Sequence, residues 1–229
     1  MKRLALVASL AVLLAASAFG QVKPVDLEQV LNLLDSKSAS FKNVQTDFVW
    51  DQYQKVVNDH DIQKGVMYFR RAGSTVEMAA EITYPAPKYV LFTDKDGLQV
   101  YLPKADEVTS YKAGKNRGDF EAYLTLGFGG RGHDLAKSFD LHYAGAENVD
   151  GRATYKIELV PKAQKVKNMF NHISIWIDQQ TGMSVKQEFL EGGGDYRIAT
   201  YASIQVNRSL PRDAFKLKTT GRTKYINPN

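Results

Sequence analysis

Between one tight-turn signal and the next, this chain keeps an apolar residue at every second position. Thr75–Thr83 sets Val76, Met78, Ala80 and Ile82 on one face and Thr75, Glu77, Ala79 and Glu81 on the other. Residues 153–160 alternate Ala153, Tyr155, Ile157 and Leu159 against Thr154, Lys156, Glu158 and Val160. Ile173, Ile175 and Ile177 alternate with His172, Ser174, Trp176 and Asp178. A two-residue period is that of half-buried strands. Asp96-Gly97, Asp150-Gly151, Thr181-Gly182 and Gly192-Gly193-Gly194 supply the turns between them. Strands are therefore predicted near 43–56, 64–70, 75–83, 88–93, 97–102, 106–111, 138–146, 152–160, 172–178, 183–190 and 195–206. Eleven short strands with few helices imply a mainly β chain built on a large antiparallel sheet, curled or closed.

Two of these strands are apolar on both faces. Val66 and Tyr68 oppose Met67 and Phe69, and Tyr89 and Leu91 oppose Val90 and Phe92. A sheet with one solvated face has no use for that pattern. Helices, another layer or a ligand must cover the second side.

The helical segments are few. Val25, Leu27, Val30, Leu31, Leu33 and Leu34 have helical spacing, which predicts an amphipathic helix from Pro24 to about Ser38. Residues 119–126 and 133–137 read as two short helices around Gly127-Phe128-Gly129-Gly130-Arg131-Gly132, a mobile hinge. Leu210–Phe215 reads as one helical turn with Pro211 at its start.

Ahead of all this stand Met1-Lys2-Arg3 and an apolar run from Leu4 to about Ala18. The run is shorter than the ~20 residues that a membrane-crossing helix needs. Its small residues allow cleavage after Ala18 or after Gly20, so residues 1–20 are expected to be a secretory signal and 21–229 a single exported domain. Bacterial lipoproteins carry a cysteine directly after the signal, and this chain has no cysteine. The expectation is a soluble periplasmic protein with no lipid anchor, no disulfide and no thiolate chemistry. Without the first 20 residues the charge is about +3, too small and too interspersed for nucleic acid.

A search for catalytic chemistry finds little. His60, His133, His142 and His172 have no metal-ligand spacing and read as surface residues. Neither a Gly-x-Ser-x-Gly elbow nor a phosphate loop is present. Gly127–Gly132 matches Gly-x-Gly-x-x-Gly but follows a helix-like segment, outside any βαβ unit. Glu77 and Glu81 share a polar strand face and read as a solvated pair rather than a glycosidase dyad. No catalysis, metal or cofactor is expected. What remains is binding: a curved sheet lined with Val, Met, Phe, Tyr and Trp, with short helices at a glycine hinge, makes an apolar cavity with a lid. The alternative is that these faces simply pack on the helices.

The order of several motifs resembles the bacterial outer-membrane lipoprotein carrier (LolA-like) family. They are Phe41–Phe48 after the opening helix, Gly65–Arg71, Tyr84–Phe92 with Asp96–Pro103, Leu159-Val160-Pro161-Lys162 and Ile173–Gly182. The resemblance implies an incomplete, half-open β-barrel of about 11 strands covered by short helices. It implies a carrier that binds acyl chains of lipoproteins, or other lipids, and takes them toward the outer membrane. The implied partners are an inner-membrane lipoprotein-releasing transporter and an outer-membrane receptor. It also implies that Arg71 latches the lid to the barrel. Within the cavity, alternation nominates Trp50, Met67, Phe69, Val76, Met78, Ile82 and Leu91, subject to a strand register that sequence leaves open. The chain departs from the family at Ala72, where a proline is usual, at Thr75 and Val76, where an aromatic is usual, and in the Gly127–Gly132 stretch. It reads as a divergent branch. The second reading is a periplasmic sensing module of the same fold that binds a membrane protein's periplasmic segment. The third is an enzyme acting on envelope lipids or glycans.

Overall fold

A computed structural model of the chain describes residues 25–111 and 122–228. The expected secretory signal and the start of the helix expected at 119–126 lie outside them; residues 122–124 are helical. Helix α1 spans Leu27–Ser40 and starts later than Pro24 because Asp26 caps it. The Asp26 carboxylate accepts from the Gln29 amide at 3.0 Å, and the Gln29 side chain accepts from the Asp26 amide at 3.4 Å. Val30, Leu31, Leu34 and Ser38 form its buried stripe.

All eleven expected strands are present: β1 (Asn43–Gln54), β2 (Asp59–Ala72), β3 (Thr75–Tyr84), β4 (Lys88–Thr93), β5 (Gly97–Leu102), β6 (Glu107–Tyr111), β7 (Phe139–Val149), β8 (Arg152–Pro161), β9 (His172–Asp178), β10 (Ser184–Leu190) and β11 (Tyr196–Val206). A twelfth, β12 (Lys224–Ile226), lies parallel to β6, so the sheet is mixed rather than purely antiparallel. Helices α2 (Gly132–Ser138) and α3 (Gln164–Lys167) complete the elements used below. The strand order is β12-β6-β5-β4-β3-β2-β1-β11-β10-β9-β8-β7. Two meanders, β1–β6 and β7–β11, are thus stitched together by the β1–β11 pair, and the sheet is an open, curved half-barrel.

Its concave side holds two apolar clusters. One gathers Val44, Phe48, Met67, Phe69, Met78 and Phe92; the other joins Val30 and Leu34 of α1 to Ile157, Ile173, Ile175 and Phe189. The convex side explains the two-sided strands. Tyr68, Ala79 and Leu91 are buried there beneath Leu210, Ala214, Phe215 and Leu217 of the C-terminal segment. The Arg70 guanidinium lies 4.0 Å from the Phe215 ring centre and pairs with Glu77 at 2.7 Å, and Lys218 pairs with Glu81 at 3.0 Å. Residues 212–215 form turns rather than the expected helical turn. Farther on, Asp106 accepts from Thr220 and Thr223 at 2.6 Å and from Tyr101 at 3.1 Å, which ties the segment down beside β12.

Candidate functional site: the half-barrel interior and its lid

The glycine-rich stretch enters the concave side. Phe128 is 1% exposed, stacks on Phe69 with ring centres 4.2 Å apart, and meets Tyr201 edge-on at 4.8 Å. The chain fills its own barrel with this ring. Gly129 makes the entry possible: its φ is +78°, and a Cβ there would sit 2.3 Å from the Phe41 ring. At Gly132, where α2 begins, a Cβ would meet the Leu31 carbonyl at 2.5 Å, so α2 and α1 approach to backbone contact.

Hydrogen bonds seat this lid on both sides. The Ser184 amide donates to the Gly127 carbonyl at 2.9 Å, and the Gln187 side chain donates to the Leu126 carbonyl at 2.6 Å. Gln187 in turn accepts from the Tyr201 hydroxyl at 2.9 Å, and Tyr201 also bonds the Trp50 side chain. Burial pushes the Tyr201 phenol far up, so the phenol stays a neutral donor. On the other side Arg71, at the end of β2, reaches three backbone carbonyls. Its Nη2 donates to Gly129 at 2.6 Å and to Ser38 at 3.2 Å, and its Nε donates to Phe41 at 3.3 Å. Ser38 Oγ accepts from Arg71 at 3.0 Å and donates to the Gly129 carbonyl at 2.8 Å. One guanidinium therefore joins β2, the C-terminus of α1 and the lid, the planar fork suiting several acceptors at once.

A second contact joins α1 to α2. His133 places Nδ1 at 2.8 Å from Asp35 and Nε2 at 3.2 Å from Glu28, two carboxylates seven residues apart on α1. Arg131 adds a contact to Asp35 at 3.4 Å. His133, expected as a plain surface residue, is thus a clasp between helices. Beside the lid lies a cleft of about 640 Å³, bordered by Leu34, Arg71, Val76, Leu126, Gly129 and Leu135.

The nominated lining residues fall as follows. Met67, Phe69, Val76, Met78 and Ile82 lie in one buried cluster with Phe128, and Trp50 packs against its edge. Val76 and Arg71 alone among the nominated residues border the cleft. Leu91 is a correction: it pairs with Ala79, which points to the convex side, and so it lies under the C-terminal segment. Phe128, Gln187 and Tyr201 were missed. Gln187 carried a signal, a polar residue in the inward row between Val185 and Phe189; Phe128 carried none beyond its place in the glycine-rich stretch. Glu77 and Glu81 serve the convex face, and among the described residues no group of three or more metal-ligating side chains converges. No described helix is long and apolar enough to cross a membrane.

Fold and site together are an open half-barrel whose interior is filled by its own latched loop. The model of a family described only as "uncharacterized protein" matches residues 88–217, more than half the chain, and the chain belongs to that family. No curated protein matches the sequence. Among solved structures, MucB matches with 16% identity over 83% of this chain and 62% of that chain, at a TM-score of 0.53. The Pseudomonas aeruginosa MucA/MucB complex matches with 16% identity over 84% and 61%, at 0.51. This chain thus spans about three fifths of MucB's length. An uncharacterized conserved protein from Thermus thermophilus matches with 10% identity over 88% and 98%, at 0.56. A LolA superfamily protein from Nitrosomonas europaea matches more loosely, with 14% identity over 84% and 98% and a TM-score of 0.41. At these identities the likeness to MucB and to the Thermus thermophilus protein is one of fold.

Proposed function

We propose that this protein is an exported carrier of the periplasm that binds acyl chains of lipoproteins, or other lipids, inside the half-barrel. The observation that carries this reading is the Phe128 plug held by Arg71. An apolar interior filled by a loop on a hydrogen-bonded latch can be vacated for cargo and refilled on release. The magnitudes agree. Ejecting a buried Phe costs about 3–5 kcal/mol, and the latch bonds add about 1 kcal/mol each. A buried acyl chain returns about 0.8 kcal/mol per CH₂, so about ten carbons offset the opening and shorter chains do not. An inner-membrane lipoprotein-releasing transporter and an outer-membrane receptor are the partners this role calls for.

Native mass spectrometry of periplasmically expressed protein, followed by organic extraction, tests the reading. Bound acyl lipid or a lipoprotein adduct is the expected result. A clean apo mass, with no uptake of a fluorescent long-chain fatty acid, would sink it. One observation favours a second reading as a protein-binding module: the likeness to MucB, which has been solved in complex with MucA(peri). Capture of a membrane protein's periplasmic segment, in place of lipid, would make that reading the better one.

A further inference from the structure

Toward the β1–β2 hairpin the concave wall turns from apolar to cationic. Lys88 opens β4 and Arg197 stands near the start of β11, four strands away in the sheet order. Lys88 pairs with Ile82 and Arg197 with Gln52, in rows that face inward. Gln63 and Trp50 stand between the two cations: Lys88 bonds Gln63, the cross-strand partner of Trp50, and the Trp50 ring centre lies 5.7 Å from the Arg197 guanidinium. Burial chiefly pushes the Lys88 ammonium down; the Asp61 charge opposes it, and the smaller effect of Arg197 adds to the lowering. Lys88 Nζ donates to the neutral Gln63 amide oxygen at 2.7 Å.

Arg197 is also incompletely answered. Its guanidinium lies 5.7 Å from the Trp50 ring centre and 5.6 Å from that of Phe170. One Nη donates to the Tyr123 hydroxyl at 3.3 Å and the other to Glu191 at 3.3 Å. Burial pushes the Tyr123 phenol up to about 12, so it supplies no negative charge at neutral pH. Arg197 Nε is buried and finds no hydrogen-bond acceptor among the described residues. A buried N–H left unpaired in this way is costly and is usually met by a ligand or water. Trp50 lies beside it, and Val90 and, farther from the hairpin, Leu98 continue the inward row from Lys88; all three pack only partly against the main core.

We propose that Lys88 and Arg197 bind the anionic head group, carboxylate or phosphate, of an acyl amphiphile whose chain lies along Trp50, Val90 and Leu98. The site rests on the acyl-binding reading above and names its substrate class. Arg197 Nε and Lys88 Nζ donate to the anion, while Glu191 beside Arg197 and Asp61 beside Lys88 offset part of their charge. The asymmetry of the interior follows from this: chain toward the lid, head toward the β1–β2 hairpin.

The test is a titration at pH 7.5 and low salt with a fluorescent C18 fatty acid, the alcohol of the same chain and a monoalkyl phosphate of equal length. The two anions are expected to bind about tenfold tighter than the alcohol. In Lys88→Gln and in Arg197→Gln the ratio of anion to alcohol affinity is expected to fall toward one. A tighter phosphate than carboxylate would assign the head group to a phospholipid, and the reverse order to a fatty acid. Equal binding of anion and alcohol by the wild type overturns the head-group site and leaves the acyl reading standing, as does a ratio unmoved in Lys88→Gln. Binding of none of the probes overturns the acyl reading, and the head-group site with it.

Discussion

Arg71 and Phe128 act on the same short piece of backbone, Arg71 from the rim of the inward-facing wall and Phe128 from deep within it. Arg71→Leu removes the donors to the Gly129, Ser38 and Phe41 carbonyls. Each charge-assisted bond is worth about 1.5–3 kcal/mol when shielded, and the guanidinium is partly exposed, so a total loss of about 2 kcal/mol is expected. The closed lid competes with cargo. Weakening it should therefore tighten retention of a fluorescent fatty acid by about tenfold or more and slow its release. Unchanged affinity and release rate would show that Arg71 is not the latch. Phe128→Ala should lower the unfolding free energy by about 3–5 kcal/mol in a denaturant titration, as removal of a fully buried ring from a rigid site does. A loss near zero would mean that the plug seats poorly.

The clasp between α1 and α2 carries its own pH dependence. The bond to Asp35 chiefly raises the His133 pKa above its ordinary 6.5; burial opposes it, and the bond to Glu28 adds a smaller rise. The clasp is thus complete below that value and weakens as pH rises through the raised one. Burial alone would raise the Asp35 carboxyl, but the bonds from His133 and Arg131 hold it below 3.8, so its contribution is lost only on strong acidification. Thermal melting between pH 5.5 and 8.5 should show a falling midpoint in the wild type and a flatter profile in His133→Asn. Identical profiles would remove His133 from the clasp. At this scale the sequence was most legible. Eleven strands followed from alternation and turn signals because both act within a few residues. β12 did not, since Lys224–Ile226 is too short to display a period. The failure at Leu91 has a different cause. Alternation told that two faces of β4 are apolar but not which one is concave, and only pairing across the sheet settles that. Arg71 came from a family resemblance, and the Phe128 plug depends on contacts between residues 59 positions apart.

Across the whole molecule, the C-terminal segment does for the convex face what the lid does for the concave one. Leu210, Ala214, Phe215 and Leu217 cover Tyr68, Ala79 and Leu91. Full burial of such side chains is worth about 1.5–3 kcal/mol each. Ending the chain after Asn207 should therefore lower the melting midpoint and uncover an apolar patch that binds a hydrophobic dye. A truncated chain with wild-type melting and no added dye binding would show the segment to be dispensable.

The β1–β11 pair has a consequence for the birth of the protein. Every other antiparallel neighbour in the sheet joins strands that follow one another along the chain, so each meander can zip up as it emerges. The flank of β1, a strand of twelve residues, must wait for Tyr196–Val206, the last long strand to be made. Until then a half-finished molecule offers a bare row of amides and carbonyls to any passing strand. Trigger the chain to stall before residue 196, and aggregation rather than orderly folding is the expected fate.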